Sequence, residues 1–169
     1  MLEVEGRSAE ADQARWRVFE RSLSVEDLRA LIAKLPDFED VVALDQAFEM
    51  AAAHPDAMKG IAFLMGWPAL REAAELTVGR AAELRGAHDG VPLWASRLAG
   101  RYPLAALLLV RTRARALVNL GSGITEEVQG LIGEAEALAA AADDDAVVGD
   151  HAAFLDELQT LASPRRRRW

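Results

Sequence analysis

There is no cysteine in the 169 residues. That absence excludes disulfide frameworks, thiol nucleophiles and every zinc site built on thiolate. It also agrees with a reducing compartment. Lysine is nearly missing, since only Lys34 and Lys59 appear among 19 basic residues. β-Branched residues are scarce as well: 12 Val, 4 Ile and 4 Thr stand against 34 Ala and 23 Leu. Ala and Leu favour helices, while branched side chains favour strands, so the composition leans all-α before any pattern is read. The longest apolar run, Pro103 to Val110, falls far short of the roughly 18 residues that span a bilayer. The start, Met1-Leu2-Glu3-Val4-Glu5, is acidic and lacks the apolar segment of a secretory signal. The expectation is a cytoplasmic protein with no membrane partner.

What is present is organised by charge. The net charge is −8, but residues 1–60 carry −6, residues 61–120 carry +4 and residues 121–169 carry −6. In the last stretch all the bases are the run Arg165–Arg168. A basic centre flanked by acidic ends invites internal ion pairs.

Apolar residues recur at helical spacing along the whole chain, and no strand pattern appears. About nine helices are expected. The first covers residues 9–22, with Trp16, Phe19 and Leu23 along one stripe. Ser24 and Asp27 form a capping pair for the second, which Pro36 ends. Asp37 is placed to cap a third helix through Ala53, with Phe38, Val41, Leu44, Phe48 and Ala52 inward. The fourth carries Met58, Ile61, Leu64 and Met65, and the fifth starts at Ala69. Residues 85–90 read as a loop. The sixth helix covers 92–101, and the seventh, 104–120, is apolar almost all round in its first half, as a helix buried on several sides would be. The eighth presents Ile124, Val128, Leu131, Ala135 and Leu138, and the ninth covers about 150–162.

Short turns between these helices favour antiparallel hairpins. The segments around Pro55 and Pro103 echo each other at an offset of 48 residues, with an Ala four before the proline and another two after it. This favours a solenoid-like stack of the tetratricopeptide kind; the alternative is a compact irregular helical bundle. One domain over residues 1–163 is expected, followed by a basic segment over 164–169.

Several segments carry a family likeness. Arg15-Trp16-Arg17-Val18-Phe19-Glu20, Leu35-Pro36-Asp37-Phe38-Glu39-Asp40, Ala53-His54-Pro55-Asp56, Trp67-Pro68-Ala69-Leu70 and Tyr102-Pro103-Leu104-Ala105 resemble a family of bacterial proteins catalogued as a domain of unknown function. The resemblance covers residues 13–118 and partly returns near Phe154 and Trp169. It implies a bacterial, soluble, helical protein. It also implies that the chain corresponds to the C-terminal part of longer members, without their N-terminal half. The family has no established activity, so no catalytic role is carried over.

The chemistry of sites is thin. His54, His88 and His151 lie in turns without ligand spacing, and Asp143-Asp144-Asp145 lacks the glycine and spaced oxygens of a calcium loop. There is no G-x-S-x-G, no phosphate-binding P-loop and no dinucleotide fingerprint. No catalytic residue, metal ligand or cofactor is therefore assigned. The expected function is a non-catalytic helical interaction or scaffold module that binds a protein partner or itself. Its expected surface carries Trp94, Arg101, Arg111 and Arg115, with Trp169 as a further anchor. Arg111 and Arg115 share a helix face, and their exchange for Glu is expected to abolish partner capture without unfolding. One alternative is nucleic-acid binding through the central arginines and Arg165–Arg168, although an acidic domain lacks the usual footprint. Another is part of an enzyme completed by a missing N-terminal half.

Overall fold

The computed structural model describes residues 2–142 and 151–164. Among the described residues the chain is all-α, with nine helices and no strand. They are α1 (Leu2–Ser22), α2 (Val25–Ile32), α3 (Glu39–Ala53), α4 (Ala57–Gly66), α5 (Leu70–Gly79), α6 (Val91–Leu98), α7 (Pro103–Leu117), α8 (Glu126–Ala141) and α9 (His151–Ala162). Each matches one helix expected from the sequence. A 3-10 turn, Ala81–Glu83, follows α5, and a π turn, Val118–Ser122, follows α7. The chain groups into two compact units, Met1–Ala73 and Ala74–Trp169.

In the first unit α1 packs on α2 and α3, and α3 packs on α4. Residues 4–15 of α1 are exposed, so this helix extends well before its apolar stripe begins. Its far end buries Phe19, whose ring meets Phe63 edge-on at 5.3 Å. Trp16, Phe48 and Trp67 complete an aromatic cluster around that pair, with centroid separations of 5.8 to 6.5 Å. Edge-to-face rings at such spacing add about 0.5–1.5 kcal/mol per pair beyond their burial.

Helix ends show how side chains set the breaks. Ser24 Oγ accepts the Asp27 N–H at 3.2 Å, as the capping pair requires. The Asp27 carboxylate does not return to Ser24; it accepts from Ser22 Oγ at 3.1 Å. Asp56 accepts the N–H groups of Met58 and Lys59 and so starts α4.

The third helix departs from its expected orientation. Asp37 is not its cap: Phe38 holds that place, with φ +82° and no side-chain cap. The inward stripe is Ala43, Ala47 and Ala51, spaced four residues apart. Leu44 and Phe48 are half-buried, while Phe38, Val41, Val42 and Ala52 face solvent. Small residues let α3 lie close to α4, whose Gly60 is also buried. Bulk hydrophobicity alone selects a neighbouring register, and close backbone approach overrides it.

The second unit is built around α7, which packs against α6, α8 and α9. Ala105, Ala106, Leu107, Leu109, Val110 and Ala114 are all buried on it, as its all-round apolar character implied. Val128, Leu131, Ala135 and Leu138 form the inner face of α8, and Phe154 and Leu158 that of α9. Thr125 caps α8 by accepting the Val128 N–H at 3.3 Å. Gly121, at φ +91°, and Gly123, at φ +66°, turn the chain between α7 and α8.

This register makes a paired prediction. Ala47→Leu overpacks α3 against its neighbours and costs about 1–3 kcal/mol. Phe38→Ala removes a larger side chain yet changes stability by about 0.5 kcal/mol or less, because the ring is already in water. Chemical denaturation of both variants checks the order.

Candidate functional site

Two places hold the residues that could carry function: the arginine-bearing helix of the second unit and the apolar end of α3 in the first.

On α7 the arginines turn inward. Arg111 is only 2% exposed, and its guanidinium lies over the Phe154 ring at 5.0 Å. Arg115 lies over the same ring at 5.3 Å and donates from Nε to Glu157 Oε1 at 2.8 Å. Phe154 thus sits between two cations, each contributing from about 0.5 kcal/mol to about 2 kcal/mol as water is excluded. Arg113 is also buried. Its Nη1 donates to the carbonyls of Ala87 and His88 at 3.0 and 2.9 Å. Its Nη2 donates to Glu127 Oε1 at 2.8 Å. One side chain therefore ties the loop before α6 to the first turn of α8. The expected pairing of basic centre with acidic end is present here, in Arg113–Glu127 and Arg115–Glu157.

The same loop is closed from its other side. His88 stacks on Trp94 at 4.5 Å, and its Nδ1 accepts the Gly90 N–H at 3.0 Å. A Cβ at Gly90 would stand 2.6 Å from the Trp94 ring, so any larger residue there must displace that ring. Further along, Arg80 grips both oxygens of Glu83, at 2.7 and 2.8 Å. Those hydrogen bonds hold the Glu83 carboxyl below its ordinary range. A depressed carboxyl adds stability above its ordinary range, and that part is lost as pH falls through the folded value.

Among the described residues the members of the expected surface lie in different places. Trp94 and Arg111 are inside the second unit, and only Arg115 shares the Phe154 contact with Arg111. Arg101 stands apart and exposed, over Tyr102 at 5.8 Å. Trp169, Arg165–Arg168 and Asp143-Asp144-Asp145 lie outside the described residues. Phosphates cannot reach the guanidinium groups of Arg111 and Arg113 without opening the unit. Exchange of Arg111 for Glu puts a carboxylate in a buried place where a cation lies over the Phe154 ring, which destabilises the unit.

The place missed from sequence is on α3. Phe38 is 90% exposed, Val41 60% and Val42 68%. Val41 and Val42 lie in the first turn of α3, and Phe38 holds the cap position just before it. Phe38 is held there with a left-handed backbone, a conformation that bulky residues rarely adopt. The available signal was the rival stripe Ala43, Ala47 and Ala51, which points these three outward. A separate cleft of about 510 Å³ runs beside α3 and is lined by Glu20, Gln46, Glu49, Met50 and His54 among others. His54 is engaged within its own turn, where Nδ1 accepts the Asp56 N–H at 3.0 Å. Among the described residues no group of three or more His, Cys, Asp and Glu side chains is arranged to hold a metal ion. No helix among them is long and apolar enough to cross a membrane.

The α7 geometry predicts that Arg113→Ala costs about 2–4 kcal/mol, since several charge-assisted bonds vanish together. Glu127→Gln costs about 1 kcal/mol or less, because that carboxylate is more than half exposed. Urea denaturation followed by circular dichroism distinguishes them.

No curated protein and no solved structure matches the chain. A family model does match, over residues 1–169. With all-helical architecture and a match along its full length, the chain belongs to the family of unknown function DUF6880.

Proposed function

We propose that the chain is a non-catalytic helical protein-interaction module, acting in the cytoplasm, whose contact surface is the exposed face of α3. The observation that carries this reading is the solvent position of Phe38, at the cap of α3, and of Val41 and Val42 in its first turn. Each side chain of this size gains about 1.5–3 kcal/mol when it leaves water. Three together, one of them in a strained conformation, form an unsatisfied surface of the kind that marks an interaction site. Folding alone does not require it, because the core of the first unit is closed by the aromatic cluster and the alanine stripe.

The nucleic-acid reading is weaker for a physical reason. It drew on the central arginines together with Arg165–Arg168, and of the former Arg111 and Arg113 are committed to internal contacts. Arg71, Arg80 and Arg115 are paired with Glu72, Glu83 and Glu157. Among the described residues that leaves Arg85, Arg97 and Arg101 of the central arginines without an ion pair to neutralise phosphates.

The test is affinity capture from the native host with the wild-type chain and with Phe38→Asp/Val42→Asp, both first shown to melt alike. The expected result is a defined protein partner held by the wild type and lost at least tenfold in the variant. Equal recovery by both chains, or no specific recovery by either, contradicts the reading.

A further inference from the structure

The apolar end of α3 lies among carboxylates. Asp37, Glu39 and Asp40 adjoin Phe38 in the chain, and Asp45 follows Val41 and Val42 by one turn on the same face. All four are exposed. None has an ion-pair partner among the described residues. The Asp40 carboxylate accepts only the N–H of the next residue, Val41, at 2.9 Å. A surface that combines a bare aromatic ring, two valines and unpaired carboxylates complements a ligand that is both aromatic and strongly basic. It repels an acidic partner and leaves its own charges unanswered against a purely apolar one.

The chain itself contains such a ligand. Residues 165–169 read Arg-Arg-Arg-Arg-Trp, and these four arginines are the only basic residues after position 120. Guanidinium groups bind carboxylates in a two-pronged manner that lysine cannot reproduce. Tryptophan and arginine are also the side chains that most often dominate a small protein contact.

We propose that the exposed face of α3 receives the segment Arg165–Trp169 of a second copy of the chain. Carboxylates at Asp37, Glu39, Asp40 and Asp45 meet the arginines, and Trp169 covers Phe38 and the two valines. This rests on the interaction reading above and names the partner of that same surface. Each copy offers one face and one segment, so two copies can exchange segments in a closed dimer or add head to tail. It is electrostatic at its rim and weakens with salt.

Sedimentation velocity on three full-length chains tests it. They are the wild type, a face variant (Phe38→Ser/Asp40→Asn/Asp45→Asn) and a segment variant with residues 165–169 all changed to Ser. The protein is followed from about 5 to about 300 µM, where a small docking surface associates, at about 0.05 and about 0.5 M salt. The wild type is expected to gain mass with concentration and to lose that gain at high salt. Each variant alone is expected to stay monomeric. An equimolar mixture of the two is expected to form a heterodimer, since one supplies the intact face and the other the intact segment. A wild type that stays monomeric throughout, variants that associate as the wild type does, or a mixture that stays monomeric overturns the proposal. If the segment variant still captures a host protein through Phe38 while no self-association occurs, this proposal fails and the interaction reading stands.

Discussion

A helix has one inward face, and α3 gives that face to alanine. Ala47 and Ala51 are fully buried, and Ala43 nearly so. Close packing of helices requires small side chains at the line of contact, and the buried Gly60 on α4 meets the same need. Once that stripe is inside, Val41 and Val42 have nowhere to go but outward, and Phe38 begins the helix from a left-handed backbone in full solvent. The aromatic cluster of Phe19, Phe63 and their neighbours takes only Phe48 from α3. A surface with functional potential is thus the by-product of a packing rule. It also costs the fold little, because the residues concerned take no part in the core.

The second unit obeys a different constraint. Its central helix is surrounded on several sides and still carries arginines at positions 111, 113 and 115. A buried guanidinium is tolerated only where acceptors or ring faces replace its water. Phe154, Glu127, Glu157 and the carbonyls of Ala87 and His88 do so. Three of the eight arginines in the middle stretch are therefore structural: they connect α7 to the loop before α6, to α8 and to α9. Their planar, many-donor geometry explains why arginine and not lysine occupies these places.

Most of the architecture was legible in the sequence. Nine helices, their breaks at Pro36, His54-Pro55, Gly66-Trp67-Pro68 and Gly121-Ser122-Gly123, and the buried character of α7 follow from spacing, caps and breakers. The side chains of Val128, Leu131, Ala135 and Leu138 face the core as their period requires. The candidate surface was read less well, for two physical reasons. Hydrophobicity ranks Phe38 and Val41 above alanine for burial, but close helix approach reverses that ranking. Charge on a sequence gives no sign of whether an arginine is solvated or stapled: Arg111 and Arg115 share a face as spacing demands, and that face turns toward Phe154.

The central claim is that the bulky face of α3 is free in the isolated chain and covered in its working state. Hydroxyl-radical footprinting read residue by residue tests it most directly. At high dilution, Phe38 is predicted to be oxidised far faster than Phe19 or Phe63, which share its chemistry but are buried. At concentrations where the chain associates, or with a captured partner bound, Phe38 is predicted to become protected while Phe19 and Phe63 stay unchanged. A Phe38 as unreactive as Phe19 in the dilute chain, or one whose reactivity ignores every partner, would contradict the account.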